Sequence, residues 1–339
     1  MKPNIKDIDT LNLTGGGTKD CAILGTLIYF EENKIIEQIT NYAGSSAGAI
    51  IVTLLNMNFT AIEILDTVFS QNSKTVYDPV YKIPFNLYCN FGLFTAVKMI
   101  SYIQTLFVSK NFDKDITFKQ LNEKTNKILT LTGTSLNERD TFYFNHHTMP
   151  DMKVIDALHI SMSIPIFFTN VKYTINGKIH NFVDGGLLMN LPLYYYDVCK
   201  TTNIWYLSNR DLVKKQKILE TQQKLTNTQY SNKKIGVILF DTGDIEDLES
   251  SYDGHDIINN ISQFFISLID TVTGKIQQAN YSNPLTGIRD NFFDETIVIK
   301  LPVQISAIDF NLQKKTKDIL IQAGHQAAKE YFEIELQSI

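Results

Sequence analysis

The chain has 339 residues, 44% hydrophobic and 20% charged. That is enough apolar material for a large core in one or two domains, and it excludes an intrinsically disordered chain. Lys and Arg number 31 against 36 Asp and Glu, a net charge of −5, so no overall basic field exists and nucleic acid is not an expected partner. Three cysteines (Cys21, Cys89, Cys199) fit neither a metal-ligand spacing nor an even disulfide framework, and read as small buried apolar residues.

At the N-terminus, Lys2, Lys6, Asp7 and Asp9 interrupt any apolar run, so no cleavable signal peptide is expected, and no stretch reaches the roughly 18 apolar residues of a membrane span. The first elements alternate. Ile8–Leu13 reads as a strand ending at Gly15-Gly16-Gly17, a helix follows from about Asp20 to Glu32, and Ile39–Ala43 reads as a second strand running through Gly44-Ser45-Ser46-Ala47-Gly48 into an apolar helix to about Met57. Two βα units at the start predict a parallel sheet with crossover helices. Thr60-Ala61-Ile62-Glu63 and Thr117-Phe118-Lys119-Gln120 are capping boxes that open further helices.

Residues 71–95 have no clear period and read as an irregular surface segment, a lid in the making, before a helix at 96–107. Lys127–Leu136 and Thr141–Phe144 read as strands, and Asp151–Ser161 as a helix leading to Ser163-Ile164-Pro165. Val171–Ile175 and Lys178–Val183 form a hairpin around Asn176-Gly177, and its second strand runs into Asp184-Gly185-Gly186. Further on, Asn203–Leu207, Lys234–Phe240 and Glu295–Ile299 read as strands, 241–256 as an acidic loop, and Ile257–Ile276 and Leu312–Phe332 as long helices. With no repeat or low-complexity linker, the simplest organisation is one domain: residues 8–195 carry every motif, and 196–339 continue it without an assigned function.

Three motifs carry chemistry. Gly44-x-Ser46-x-Gly48 between strand and helix fits a strained turn that lifts a serine hydroxyl off the sheet edge, with glycines where side chains would collide; a chance small-residue turn is the plain alternative. The loop Gly15-Gly16-Gly17-Thr18-Lys19 can converge N–H groups on an oxyanion, or be only a tight turn. A phosphate-binding Walker loop is excluded, since no Gly-Lys-Ser/Thr follows, and Asp20 stands where a dinucleotide fingerprint needs glycine. None of the six histidines has a local signature as the base for a serine, whereas Asp184, at a strand end beside Gly185 and Gly186, offers a carboxylate. His146-His147 lacks further ligands at metal spacing. Phe91, Leu93, Phe94, Tyr102 and Phe107 fit either an acyl channel or a core cap. The lysine clusters at 214–217 and 314–317 fit a solvated helix face better than a headgroup site.

In this order and spacing, the glycine loop, the Ser46 turn and Asp184-Gly185-Gly186 resemble the patatin-like phospholipase family over roughly residues 8–195, and the segment from Ala157 to Phe168, with Ser161, Ser163 and Pro165, is similar to the family's Ser-and-Pro motif before the aspartate. The resemblance implies a three-layer α/β/α fold with a mainly parallel sheet, and a phospholipase A-type hydrolase that cleaves carboxylic esters of membrane phospholipids without cofactor or metal. Carried over by position, Ser46 is the nucleophile and Asp184 the base. Gly15, Gly16 and Gly17 are the oxyanion donors, and Lys19, Gly44, Gly48, Gly185 and Gly186 support the motifs. The expected setting is cytoplasmic, or delivery without a cleavable signal, with transient contact at a membrane surface. A catalytically weak lipid-binding protein and an enzyme needing a protein activator are the alternatives. The family's loop has glycine at position 20. Asp20 here is read either as an N-cap of the first helix or as a charge opposing the oxyanion, offset by Lys19.

Overall fold

The computed structural model describes residues 3–71, 78–214, 233–240, 294–303 and 305–336. The expected acidic loop 241–256 and the helix 257–276 lie outside them. Among the described residues, five strands run parallel in the order β10 (Thr296–Lys300), β9 (Lys234–Phe240), β1 (Thr10–Leu13), β2 (Asn41–Gly44) and β4 (Ile128–Ser135); β8 (Lys178–Asp184) then pairs antiparallel with β4, and β7 (Val171–Ile175) antiparallel with β8. β5 (Asp140–Phe144) pairs antiparallel with β4, and β3 (Gly92–Phe94) with β6 (Ile166–Phe168) makes a separate parallel ribbon.

Side-chain alternation divides the sheet into two buried faces. Leu11, Leu13, Tyr42, Leu129, Leu131 and Val237 point into the main core, together with α1 (Cys21–Glu32), α2 (Ser46–Asn56), α7 (Val154–Ser161) and α9 (Lys314–Leu336). Ala43 points the other way, to Tyr195, Tyr196 and Cys199 of α8 (Tyr195–Thr202), and Ile238 to Leu191 and Leu193. Helical layers on both faces of a mostly parallel sheet make the three-layer α/β/α fold. Buried strands must bond their backbones within the sheet, and β9 and β10 supply that on the β1 edge from the C-terminal part of the chain.

α9 lies on α1 backbone to backbone. A Cβ on Gly25 would sit 1.9 Å from Ile321 O, and one on Gly324 1.7 Å from Ala22 O, so only glycine permits the crossing. Thr26 Oγ1 donates to Gly324 O at 2.8 Å across it. On the other face, buried Lys234 joins Asp197 of α8 at 2.6 Å and Glu295 at 3.0 Å, each charge partnered as burial requires. Both capping boxes are formed, opening α3 (Ala61–Thr67) and α6 (Phe118–Thr125), and the hairpin turns through Asn176 and Gly177 at positive φ.

Two segments and one cysteine differ from what the sequence leads one to expect. Residues 203–207 form no strand: α8 ends on left-handed Asn203, and the Tyr206 carbonyl accepts from Tyr195 Oη at 3.0 Å instead of joining a ladder. Residues 71–95 are not irregular throughout, because α4 (Ile83–Asn90), with proline in its first turn, and β3 lie within them ahead of α5 (Val97–Ser109). Cys89 is exposed on α4, whereas Cys21 and Cys199 are buried.

Candidate active site

The register of β4 explains why two residues 138 positions apart meet. Leu131 pairs with Gly44 of β2 and Phe144 of β5; two residues on, Gly133 pairs with Phe142 of β5 and Asp184 of β8. Since β5 occupies one edge of β4 in both pairs, β2 and β8 share the other, end to end. Their C-terminal ends converge, and the chain leaving β2 places Ser46 against the last residue of β8. Ser46 Oγ donates to Asp184 Oδ2 at 2.5 Å.

Ser46 is held at φ 53, a left-handed conformation that serine adopts only under local constraint. Preceding Ser45 is fully buried, with its hydroxyl bonded to Met189 O at 2.6 Å and to Thr132 Oγ1. Gly44 and Gly48 let the turn close: a Cβ on Gly44 would come 2.7 Å from Gly48 O, and one on Gly48 2.3 Å from Thr14 O. Gly185 has the same function for Asp184, since a Cβ there would lie 2.0 Å from Thr132 Oγ1 and 2.5 Å from Thr132 O.

The Ser161–Pro165 segment grips both residues. Ser161 Oγ accepts the Ser46 N–H at 3.1 Å, and Ser163 O accepts the Asp184 N–H at 2.8 Å. Gly186 N–H donates to Asp184 Oδ1 at 2.6 Å. Burial pushes the Asp184 carboxyl up to about 7, against the lowering effect of its bonds from Ser46 and Gly186. Among the described residues, no histidine hydrogen-bonds to Ser46.

The glycine loop stands over Ser46: a Cβ on Gly15 would be 2.3 Å from Ser46 Cβ. One expectation changes here. The Gly15 N–H donates to Asn190 Oδ1 at 2.8 Å while Asn190 Nδ2 donates to Gly15 O at 3.0 Å, so the Gly15 N–H is committed to the scaffold rather than aimed at a ligand. Gly17 has φ +62 and lies against Ala307 O, which also accepts the Thr18 N–H at 2.8 Å. The Lys19 N–H donates to Gly16 O at 3.3 Å.

Asp20 does not cap α1: its side chain makes no capping bond. It is fully buried, neither carboxylate oxygen has a hydrogen-bond partner among the described residues, and Oδ1 lies 2.6 Å from where a Gly16 Cβ would be. Burial holds its pKa well above the ordinary value, the Gly16 N–H and Lys19 oppose this, and the Asp184 charge adds to it. Burial thus favours the neutral acid at Asp20, which eases the charge conflict expected from the sequence.

An apolar cavity of about 70 Å³ opens beside Ser46, lined by Ile50, Phe69, Met99, Ile103, Phe168 and Phe310 among others. Its wall also includes Ala307, Leu312 and Lys317, residues to which the sequence assigned no function and which come from the turn before α9 and from α9 itself. Lys317 Nζ donates to Phe69 O at 2.6 Å, placing that lysine of the 314–317 cluster at the pocket. Of the aromatic residues expected to line a channel or cap the core, Tyr102 lines the cavity, Phe107 is core, Phe94 packs on Phe167, and Phe91 is exposed. His146 and His147 stack beside Trp205, and no metal-ligand cluster occurs among the described residues. No helix among them is long and apolar enough to cross a membrane.

Fold and site together define a class: a three-layer α/β protein with a serine and a carboxyl facing each other at converging strand ends beside an apolar pocket. By sequence, residues 11–196 match the patatin-like phospholipase family, and the chain belongs to it. The protein R571 of Acanthamoeba polyphaga mimivirus is 27% identical over 326 residues, covering 95% of this chain and 93% of that one. Probable lipid hydrolase 463L of Invertebrate iridescent virus 6 is 30% identical over 193 residues, 57% of this chain and 64% of that protein. The crystal structure of VipD from Legionella pneumophila shares the fold, with TM-score 0.53 and 13% identity over 97% of this chain and 67% of that chain. Family membership supports a lipid hydrolase.

Proposed function

We propose that the protein cleaves carboxylic esters of phospholipids, with Ser46 as nucleophile and Asp184 as its base. The observation that carries this reading is the 2.5 Å bond from Ser46 Oγ to a buried carboxyl, next to an apolar cavity able to take an acyl chain. A base works best with a pKa near the operating pH, and Asp184, at about 7, meets that condition without a histidine.

The proposed steps are supported by the Ser46–Asp184 bond and the adjacent glycine loop. Ser46 Oγ attacks the ester carbonyl carbon as its proton passes to Asp184 Oδ2, and the carbonyl oxygen becomes an oxyanion facing the loop N–H groups of Gly16 and Gly17. Collapse breaks the ester C–O bond, and Asp184 returns the proton to the departing alcohol. Water, deprotonated by Asp184, then attacks the acyl-serine and releases the fatty acid, restoring the Ser46 hydroxyl. These groups suffice without metal or organic cofactor. The substrate sits at a membrane surface, so the enzyme works as a peripheral visitor to it.

The test is a phospholipase A assay on wild type, Ser46→Ala and Asp184→Asn, together with labelling by a fluorophosphonate probe. Release of free fatty acid by wild type alone, with the probe on Ser46, is expected. Lipid association without fatty-acid release, and no label, would instead identify a lipid-binding protein. Activity appearing only on addition of cell extract would identify an activator-dependent enzyme.

A further inference from the structure

From Pro79 to Phe112 the sequence contains no Asp or Glu, while Lys82, Lys98 and Lys110 all fall within it. The rest of the chain carries all 36 acidic residues, so a 34-residue stretch (112 − 79 + 1) without one is a local reversal of a net charge of −5. The flanking acid Asp78 is engaged, accepting from the Thr95 N–H and Thr95 Oγ1 at 2.7 Å each. Lys110 pairs with Glu63 at 2.7 Å; Lys82 and Lys98, both exposed, are the other two cationic residues of the stretch.

The same stretch exposes apolar surface. Seven of the eleven exposed large hydrophobic residues among the described residues belong to it, including Tyr81, Phe85, Leu87, Tyr88 and Phe91. Tyr88 is 87% exposed and Tyr81 78%; an aromatic cluster this open faces water at a cost unless something covers it. α4 buries Asn86, whose Nδ2 donates to Leu93 O at 3.2 Å, and turns its apolar residues outward, the inverse of an ordinary surface helix. The patch also continues into the pocket: Phe94 of β3 pairs with Phe168 of β6, and Phe168, with Met99, Tyr102 and Ile103 of α5, lines the cavity beside Ser46.

We infer that α4 and its flanks, with Tyr81, Phe85, Tyr88 and Phe91 as anchors and Lys82 and Lys98 as cationic contacts, form the docking surface for an anionic phospholipid bilayer. Tyrosine and phenylalanine seat at the headgroup level, and lysines meet the negative leaflet. The absence of carboxylates from this stretch is the charge complementarity that an anionic lipid surface requires. Because the docked segment is also the pocket wall, a lipid leaving the bilayer passes into the cavity without crossing open water. This inference rests on the proposed lipid-hydrolase reading, and its test separates the two.

Binding is measured by flotation with phosphatidylcholine–phosphatidylserine vesicles and with phosphatidylcholine alone, in a Ser46→Ala background so that no lipid is consumed. In parallel, hydrolysis of a water-soluble short-chain ester is followed with Ser46 intact. The expected result is binding favouring the anionic vesicles and weakened by salt. In Tyr81→Ser/Phe85→Ser/Tyr88→Ser it falls about tenfold or more, and in Lys82→Glu/Lys98→Glu the preference for anionic vesicles is lost, with short-ester turnover within about twofold of wild type. All five substitutions are at exposed or half-buried positions, and circular dichroism checks the fold. Vesicle binding unchanged in the triple variant, or absent in the parent, overturns the inference. So does concentration-dependent self-association that the triple variant abolishes without altering vesicle binding, since the surface then seats a second copy of the chain. Absence of ester turnover with patch-dependent vesicle binding would leave the docking surface standing and remove the hydrolase reading instead.

Discussion

Ser46 Oγ and Asp184 Oδ2 are 2.5 Å apart although 138 residues separate them, because β2 and β8 end against each other on one edge of β4. Removing either side of this bond is expected to remove catalysis as a unit: Ser46→Ala and Asp184→Asn should each lose about 10³-fold or more in kcat, and the double variant little beyond either single one. Kinetics with a soluble ester test this, and additive losses would argue that the two groups do not act on the same proton.

The pH dependence follows from the raised pKa of Asp184, about 7. As the proposed base, Asp184 must be ionised to act, so kcat/KM should rise with pH through about 7 and then level. Stability runs the other way. The folded-state pKa lies above the ordinary 3.8, so this group's contribution is fully present below about pH 4 and is lost as pH rises through about 7. Its size is at most on the order of 4 kcal/mol. Asp184→Asn, which carries no proton to lose, should therefore gain stability over wild type at pH 8 and not at pH 4, as read by urea unfolding at the two values.

Asp20 gives a second, opposite test of charge. Burial, with a smaller push from the Asp184 charge, favours its neutral form against the Gly16 N–H and Lys19, so an ionised Asp20 is a cost to the fold. Asp20→Asn keeps the shape and removes the proton. Turnover within about threefold of wild type is expected, and because the raised pKa makes wild type lose stability as pH rises while Asn has no such titration, urea unfolding should favour the variant more at pH 8 than at pH 5. A fall of tenfold or more in kcat with the fold intact would mean that the Asp20 proton is used in catalysis.

Asn190 clamps the glycine loop through two bonds to Gly15. Asn190→Ala should lower kcat by about 10–100-fold with little change in KM, because the loop N–H groups lose their aim at the oxyanion while the acyl pocket is untouched. Asn190→Asp, which can still accept from Gly15 N–H but no longer donates, should fall between. A rise in KM with kcat unchanged would place Asn190 in substrate binding instead, and a lowered unfolding midpoint at the assay temperature would assign the loss of kcat to unfolding.

The geometry of the candidate site was largely legible in the sequence because its tight turns need local patterns: a serine between glycines at a strand end, and an aspartate followed by two glycines at another. Those glycines are dictated by backbone contact, such as Gly185 against Thr132. Asn190 had no such mark, being one asparagine among many after a turn, and the pocket wall from Ala307 to Lys317 reaches Ser46 only through the fold. The supposed strand at 203–207 misled because Trp205 and Tyr206 suit a strand in composition, whereas both pack in an aromatic cluster under Tyr195 and Tyr196. The reading of 71–95 failed for a related reason: α4 turns its apolar side outward, so the inward periodicity that identifies a helix is missing.

The cavity makes a prediction about chain length. Met99 stands on α5 and lines the pocket opposite Ile50 and Ser46, which belong to α2. Met99→Trp fills part of the roughly 70 Å³ that an acyl tail would occupy. Each methylene excluded from an apolar site forfeits about 0.8 kcal/mol, close to a fourfold change in kcat/KM. Turnover of a two-carbon ester should therefore stay within about twofold, while esters of eight or ten carbons should lose tenfold or more, with the loss growing as the chain lengthens. A series of p-nitrophenyl esters measures this directly. A uniform loss at every length would show that the acyl chain does not enter the cavity, and a gain for the longest esters would place it in a different groove.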